Sequence, residues 1–179
     1  MERTPPINIV LFGSGGVGKS ASTLLYVSGI FVTKYDPTIE ESYLIQMQLD
    51  SEVVDVVILD TYAYNFPGIV RNQICKGDGF IVMYSIINKN TCEDLVEIVK
   101  GIDKMKDDFY PLVIVGNKCD LENEREVESD RGIQLAAEYN APFFETSAKF
   151  NINITEIFQE LTRIILRSRK KRMGKCIIA

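Results

Sequence analysis

Short apolar runs alternate with longer amphipathic segments along most of the chain. Several of the runs are almost uninterrupted and rich in β-branched residues, which is typical of parallel strands buried on both faces. Two other runs follow each other closely, joined near Asp50 to Glu52, and predict a strand pair. This alternation predicts an α/β fold built on a mostly parallel sheet. The predicted strands are 7–12, 42–50, 53–60, 79–86, 111–116 and 141–147.

Apolar residues at helical spacing fill the gaps between these strands. A helix is predicted over 19–29, and two clear apolar stripes predict two more. Asn90 and Glu93 are placed as a capping box for the first stripe, and Asn153 and Glu156 stand at the start of the second. We expect both stripes to lie in the core rather than to line a ligand site. The stripes are Leu95, Ile98, Val99, Ile102 and Met105, and then Ile154, Ile157, Phe158, Leu161, Ile164 and Ile165.

Composition indicates one globular domain and excludes several kinds of chemistry. The chain has 179 residues, 46% hydrophobic and 25% charged, which is enough to bury a core. It has no histidine, so Ser-His catalysis and histidine metal sites are excluded. The four cysteines lack the paired spacing of zinc or redox sites and are expected to be reduced thiols. No apolar run is long enough to span a membrane, and the N-terminus lacks signal-peptide organisation, so residence in the cytosol is expected.

Charge is distributed unevenly along the chain. The net charge is −5, yet residues 1–162 hold 13 basic and 25 acidic groups. An acidic body with a basic tail predicts that the tail has its own anionic partner. We therefore expect a domain at 1–168 and a basic tail at 169–179. The basic residues after position 162 are Arg163, Arg167, Arg169, Lys170, Lys171, Arg172 and Lys175.

The segment "GSGGVGKS", Gly13 to Ser20, fits the pattern G-x-x-x-x-G-K-[ST] between a predicted strand and a predicted helix. Glycines let the backbone curl so that successive N–H groups point inward as an anion nest. The start of the helix adds the positive end of its dipole. Lys19 can reach the β- and γ-phosphates, and the Ser20 hydroxyl can ligate Mg²⁺. The sequence therefore predicts a nucleoside triphosphate site.

Two later motifs bear on the choice of base: "GNKCD" at 116–120 and "TSAK" at 146–149 each follow a predicted strand. With these motifs in order, the chain resembles a Ras-family small GTPase of the Ras and Rap branch, from about residue 6 onward. The resemblance implies that Asn117, Lys118 and Asp120 read guanine. The Asp120 carboxylate can accept two hydrogens from the N1 and N2 edge of guanine, which adenine cannot offer.

The resemblance also implies a fold and a ligand set. It implies the P-loop NTPase fold, a mostly parallel central sheet flanked by helices with one antiparallel edge strand. Ser20 and Thr38 would hold Mg²⁺ directly and Asp60 through water. Phe31 would pack edge-on against the base, and a backbone N–H of the S-A-K segment would contact the guanine carbonyl oxygen. The residues implied to bind nucleotide are Gly13, Gly15, Gly16, Val17, Gly18, Lys19, Ser20, Ala21, Phe31, Pro37, Thr38, Ala63, Asn117, Lys118, Asp120, Ser147, Ala148 and Lys149.

The segment "KYDPTIEESY", 34–43, is similar to the first switch of the same branch, and its Lys34 is more like Rap than Ras. The resemblance implies that Thr38 bonds the γ-phosphate only in the triphosphate state, which orders or releases the loop. The strand that follows is a natural place for a partner's strand to dock. The residues expected to face an effector protein are Asp36, Glu40, Glu41 and Ser42.

The segment "LDTYAYNF", 59–66, departs from the family's second switch. Ala63 stands at the usual glycine, and Tyr64 stands at the water-positioning glutamine. A carboxamide can accept from the attacking water while it donates to the γ-phosphate, and a phenol on a rigid ring cannot reproduce this. We therefore expect weak intrinsic hydrolysis, with Lys19, Thr38 and Tyr64 as the catalytic residues. Ala63 restricts a backbone rotation that glycine permits and is expected to weaken the coupling of this switch to nucleotide state.

The last four residues, "CIIA", resemble a prenylation signal at Cys176. One prenyl chain gives only marginal membrane binding, so the basic tail is expected to supply the second signal. We expect the protein at the cytoplasmic face of a membrane, with the plasma membrane as the expected one.

The leading hypothesis is a monomeric GTP/GDP switch with an exchange factor and a GTPase-activating protein as partners, and without nucleic-acid binding. The alternative is a binding module, an adaptor that retains GTP and hydrolyses it negligibly. The motif "NKCD" argues against a third possibility, an ATP-using P-loop kinase.

Overall fold

The computed structural model describes residues 5–31, 41–61, 67–106 and 109–176, with the side chains of 67–69 and 172–176 outside that description. Strands and helices alternate through these ranges, as the apolar pattern predicts. In chain order the elements are β1 (Ile7–Phe12), α1 (Lys19–Ser28), β2 (Glu41–Leu49), β3 (Glu52–Asp60), α2 (Pro67–Lys76), β4 (Gly79–Ser85), α3 (Lys89–Asp103), β5 (Leu112–Asn117), a 3₁₀ segment (Cys119–Glu124), α4 (Ser129–Glu138), β6 (Phe143–Thr146) and α5 (Ile154–Cys176).

The strands form one sheet in the order β2-β3-β1-β4-β5-β6. β1 pairs in parallel with both β3 and β4, and β5 pairs in parallel with β4 and β6. β2 is the edge strand and pairs antiparallel with β3. The predicted mostly parallel sheet with one antiparallel edge strand is confirmed. The carboxyl ends of the parallel strands therefore lie along one edge of the sheet, which is where open α/β sheets bind ligands.

The core lies in two layers, one on each face of the sheet. On one face α1 and α5 pack together, with the rings of Tyr26 and Phe158 stacked at 4.3 Å between centroids. On the other face α2, α3 and α4 cover the sheet. Every residue of β4 and β5 is buried, because both faces of these central strands are covered by helices. The loops at the carboxyl edge of the sheet therefore begin at strands that pack against helices.

The predicted capping box at the start of α3 is wrong. Asn88 is the N-cap, and its side-chain oxygen accepts a hydrogen bond from the backbone N–H of Asn90 at 3.1 Å. The helix starts earlier than expected because the chain turns directly after β4, where the N–H of Asn88 bonds the carbonyl of Ser85. The prediction that Met105 joins the apolar stripe is also wrong, since Met105 lies past the end of α3 and is 39% exposed. The other members of the stripe are buried.

The second stripe forms the inner face of α5, as predicted. Ile154, Ile157, Phe158, Leu161 and Ile165 are buried, and Ile164 packs at the margin of the same cluster. The residue before the helix, Asn153, has a left-handed backbone with φ of 56°, and its amide donates to the carbonyl of Glu145 at 2.7 Å. Asn153 therefore connects the start of α5 to β6.

The basic region continues α5 rather than following it. The helix runs unbroken to Cys176, so the expected boundary between 168 and 169 falls within a helix. Arg169 donates to the carbonyls of Pro5 and Pro6 and pairs with Asp78 at 3.0 Å. In the part of the chain that the structure describes, no helix is both long and apolar enough to cross a bilayer.

Candidate functional site

The glycine loop 13–20 leaves the carboxyl end of β1 and leads into α1. Two of its glycines have no room for a side chain. A Cβ on Gly13 would lie 2.2 Å from the carbonyl oxygen of Met83, and one on Gly18 would lie 2.1 Å from the side-chain nitrogen of Asn117. Both residues also have positive φ, 148° and 104°. The conformation of the loop thus requires glycine at both positions.

Lys19 folds back over this loop. Its ammonium nitrogen donates to the carbonyls of Gly13 at 2.8 Å and of Ser14 at 3.0 Å, and the residue is only 6% exposed. Burial lowers the pKa of Lys19 to about 8, and the neighbouring Asp60 carboxylate opposes that shift. The loop therefore carries a poorly hydrated cation, which an anionic ligand would stabilise.

The middle of the loop is open to ligand. Gly15 and Gly16 are exposed, and a Cβ on Gly16 would meet no atom within 4 Å. By contrast, Val17 is fully buried and Ala21 packs against the same apolar cluster. Packing of Val17 and Ala21 consequently anchors the loop to the core, while its backbone at Gly15 and Gly16 stays exposed.

Asp60 ends β3 beside this loop, opposite Leu11 of β1. It is 1% exposed, and burial raises its pKa, while a hydrogen bond with Ser20 and the charge of Lys19 oppose the rise. Its Oδ1 atom is buried without a hydrogen-bond partner among the described residues. A hydroxyl and a carboxylate with a free oxygen are hard donors of the kind that Mg²⁺ takes, usually together with phosphate oxygens and water. The described donors fit that ion.

Asn117 connects three segments at the end of β5. Its amide nitrogen donates to the carbonyl of Val17 at 2.7 Å, and its amide oxygen accepts from the Thr146 hydroxyl at 2.9 Å. All three residues are buried. The side chain of Asn117 therefore fixes the glycine loop against the end of β6.

Asp120 and Ser147 meet across the two loops beyond β5 and β6. The Ser147 hydroxyl donates to the Asp120 carboxylate at 2.6 Å and accepts from the backbone N–H of Phe150 at 3.2 Å. Lys118 precedes the 3₁₀ segment with a left-handed φ of 69°. The two motifs that were predicted to read the base are thus held together by direct hydrogen bonds.

The remaining expected base contacts lie at the margin of this region. Phe31 is half-buried and packs against the cluster formed by α1 and α5. Ala148 is buried, whereas Lys149 is exposed, with its ammonium 5.2 Å from the ring centre of Phe150. At this edge of the sheet the structure therefore brings together the described residues that the sequence predicts to bind phosphate, metal and base.

A sequence model of the Ras family matches residues 8–167 of the chain. The chain belongs to the Ras family. Its members are small GTPases that bind GTP and GDP and hydrolyse GTP. The mixed six-stranded sheet agrees with the Ras fold.

Two curated relatives carry the same similarity over most of the chain. Ras-like protein 1 of Saccharomyces cerevisiae is 45% identical over 159 residues, which are 88% of this chain and 52% of the relative. Ras-like protein 2 of Mucor circinelloides f. lusitanicus is 43% identical over 169 residues, which are 93% of this chain and 85% of the relative. The chain spans about half the length of the first relative and most of the second.

Both switch segments of this Ras-family chain fall largely outside the described residues. Pro37, Thr38, Ala63 and Tyr64 all lie there, and so does Tyr62. Of the expected effector-facing residues, Glu41 and Ser42 are described, and both are exposed on the edge strand β2. The roles of the other switch residues stay predictions.

Sequence reasoning missed several residues that position the Ras-family site. Thr61 donates from its hydroxyl to the carbonyl of Leu11 at 2.6 Å, which ties the end of β3 to β1. Thr146 holds the amide of Asn117. Arg125 donates to both oxygens of Glu145, at 2.8 and 2.9 Å, and so braces the segment before Thr146. Both threonines lie inside segments that the sequence analysis quotes, 59–66 and 146–149, which was the available signal for them; the sequence offers none for Arg125.

Proposed function

We propose that this Ras-family chain is a GTP/GDP switch that uses Mg²⁺ and hydrolyses GTP slowly. One observation carries the proposal: Lys19 in the glycine loop, Asp60 and the bonded pair Asp120–Ser147 all lie at the carboxyl edge of the parallel strands in one sheet. These are the groups needed for phosphate, metal and base. Open α/β sheets generally bind ligands at that edge, which supports the proposal.

The glycine loop would bind the phosphates. Its exposed backbone at Gly15 and Gly16 can present N–H groups to oxygen anions, and α1 adds the positive end of its dipole. Lys19, already shielded from water, would pair with the terminal phosphates at little further desolvation. Binding therefore replaces two carbonyl partners of the ammonium with stronger anionic ones.

The pair Asp120–Ser147 would select guanine over adenine. The Ser147 hydroxyl orients the Asp120 carboxylate, so its acceptors are set before the base arrives. Guanine offers two N–H donors at its N1 and N2 edge, and adenine would leave a half-buried carboxylate with the Ser147 hydroxyl but no donor from the base. This difference supports guanine as the base.

Ser20 and Asp60 would hold Mg²⁺, with Thr38 as the expected third residue. When bound, the ion would neutralise charge that develops on the transferring phosphate. The unpartnered oxygen of Asp60 supports this assignment.

Weak hydrolysis follows from the residues at the second switch. Tyr64 and Ala63 stand where the family has glutamine and glycine, and catalysis of this kind depends almost wholly on positioning. An adaptor that retains GTP is the second candidate function, and the same two residues favour it.

The proposed setting is the cytoplasmic face of a membrane, with the plasma membrane as the expected one. A prenyl group on Cys176 and the basic residues of α5 would supply the two signals that stable anchoring takes. Effectors would dock at 34–43 and along β2, and an exchange factor and an activating protein would set the nucleotide state. Mass spectrometry of protein from its native cell tests the anchor, since an unmodified Cys176 contradicts it.

Calorimetry tests the nucleotide proposal. Ligand-stripped protein with Mg²⁺ is titrated with GDP and, as the matched control, with ADP. We expect tight binding of GDP and none of ADP, and equal binding of both contradicts the assignment of Asp120.

Single-turnover hydrolysis separates the switch from the adaptor. We expect slow conversion of bound GTP by the parent and faster conversion by the double variant Tyr64→Gln, Ala63→Gly. A parent as fast as the double variant contradicts the role given to Tyr64.

The nucleotide bound to freshly purified protein provides a second test. Mostly GDP supports the switch, and mostly GTP supports the adaptor.

A further inference from the structure

Ser14 and Asp94 join the glycine loop to α3 across 80 positions of sequence. The Ser14 hydroxyl donates to Asp94 Oδ2 at 2.5 Å, a short bond to a charged acceptor. Asp94 itself is exposed, but the next residue, Leu95, is fully buried in the core between α3 and the sheet. The acceptor therefore stands on a firmly packed helix.

A second bond holds the other end of the same loop. The amide of Asn117 donates to the carbonyl of Val17 at 2.7 Å. Between Ser14 and Val17 lie Gly15 and Gly16, which are exposed and have the widest conformational freedom. The part of the loop expected to face the ligand thus lies between two hydrogen bonds, an exposed one at Ser14 and a buried one at Val17.

Ser14 also connects Asp94 to the phosphate-binding cation. The backbone carbonyl of Ser14 accepts from Lys19 at 3.0 Å, while its side chain is held by Asp94. A displacement of Ser14 would move one of the two carbonyl acceptors that position the ammonium. Asp94 can therefore influence Lys19 without touching it.

We propose that Asp94 is a positioning residue that acts through the Ser14 hydroxyl, keeps the glycine loop in its binding conformation and slows the release of nucleotide. The inference rests on the proposed nucleotide-binding function. Its physical basis is preorganisation: a loop that is already ordered loses less entropy when it closes on a ligand. Loss of the attachment frees the two glycines in the empty state and so favours release.

The rate of GDP release tests the proposal. A fluorescent GDP analogue is loaded in Mg²⁺ buffer and chased with unlabelled GDP. We expect Ser14→Ala and Asp94→Ala each to accelerate release about fivefold, as for the loss of one partly exposed hydrogen bond to a charged group. The double variant should release no faster than the faster single variant, because both changes remove the same bond.

Two further variants separate the bond from the charge. Glu93→Ala removes a neighbouring exposed carboxylate of α3 that is not bonded to Ser14, so it measures the effect of charge alone. Release from this control should match the parent or be slower, since a negative charge near the phosphates is removed. Asp94→Asn keeps an oxygen that can accept from Ser14 and should stay within about twofold of the parent.

Either of two results overturns the proposal. One is release at the parent rate from Ser14→Ala, and the other is strict additivity of the two single variants. Failure of the parent itself to bind GDP overturns both this inference and the proposed function. Normal binding by the parent with unchanged variants overturns this inference alone.

Discussion

The side-chain amide of Asn117 lies 2.7 Å from the carbonyl oxygen of Val17, although the two residues are 100 positions apart. The same amide accepts from Thr146, so one small side chain connects the glycine loop, β5 and the end of β6. Buried side chains of this kind have no water to replace a lost partner. The bond between Asn117 and Val17 therefore helps to hold together the loops proposed to bind phosphate and base.

We expect Asn117→Asp to weaken that frame. Aspartate has nearly the same shape but cannot donate, so the Val17 carbonyl loses its partner and faces a buried negative charge. The expected result is a loss of about 1–3 kcal/mol in the free energy of unfolding and at least tenfold faster GDP release. Urea unfolding and a nucleotide chase measure the two effects.

Asn123→Asp is the matched control for that change. Asn123 is exposed in the 3₁₀ segment, so the same substitution there should leave both quantities close to those of the parent. An equal effect at positions 117 and 123 would mean that added charge, rather than the lost bond, is responsible.

We expect Asp120→Asn to change the preferred base from guanine to xanthine. The carboxylate accepts from two N–H groups, whereas an amide offers one acceptor and one donor, and xanthine carries a carbonyl where guanine has its amino group. GDP affinity should fall by about 10⁴-fold, as for a site left with unpaired polar groups, and xanthosine diphosphate should bind better than to the parent. Competition binding with both diphosphates measures the change.

The exposed Asp130 of α4 provides the comparison for this substitution. Asp130→Asn should keep the parent's preference for GDP. Unaltered base preference in Asp120→Asn would show that another group reads the base.

The strands and the three motifs were predictable because each depends on local chemistry. The run at 7–12 matches β1 to the residue, and the fully buried β4 and β5 are the runs without polar interruption. α2 and α4 were not singled out, since each buries few apolar side chains among the described residues: Val70 and Ile74 in the first, Leu135 and Ala136 in the second. The helix cap at Asn88 depends on where β4 ends, which the apolar pattern does not give.

Candidate residues for the site could be chosen from the sequence, but the hydrogen bonds that connect them could not. Motif spacing indicates Asn117 and Asp120, yet only the folded chain shows that Thr146 and Ser147 hold them. Arg125 lies in no motif, and its bonds to Glu145 depend on β5 and β6 being neighbours in the sheet. Such long-range partners require knowledge of the strand order.

Arg125 is expected to be the main polar stabiliser of the segment between the two motifs proposed to read the base. Its side chain is only 8% exposed, and it donates to both oxygens of Glu122 and of Glu145. Arg125→Ala should lower the free energy of unfolding of the GDP-loaded protein by about 2–4 kcal/mol, because it leaves Glu145 half-buried without its cation. Urea unfolding measures this loss.

Arg71 is exposed, so Arg71→Ala should change the free energy of unfolding by less than about 0.5 kcal/mol. A similar loss at both arginines would contradict a specific role for Arg125.

The pair Arg125–Glu145 also predicts how the free energy of unfolding depends on pH. Burial would raise the pKa of Glu145, but hydrogen bonds from Arg125 and Ser129 outweigh it and hold that pKa below the usual 4.5. A carboxyl whose pKa is lower in the folded state stabilises the fold above its unfolded pKa, and that contribution disappears as the pH falls through the folded pKa. The free energy of unfolding of the parent should therefore decline below about pH 4.5. In Arg125→Ala burial is no longer outweighed, so the decline with falling pH should be less steep.

Urea unfolding from about pH 7 to about pH 3.5 measures both slopes. Glu145→Gln, which cannot titrate, should share the shallower slope, and a parent slope unchanged by either substitution would show that other carboxyl groups govern acid unfolding.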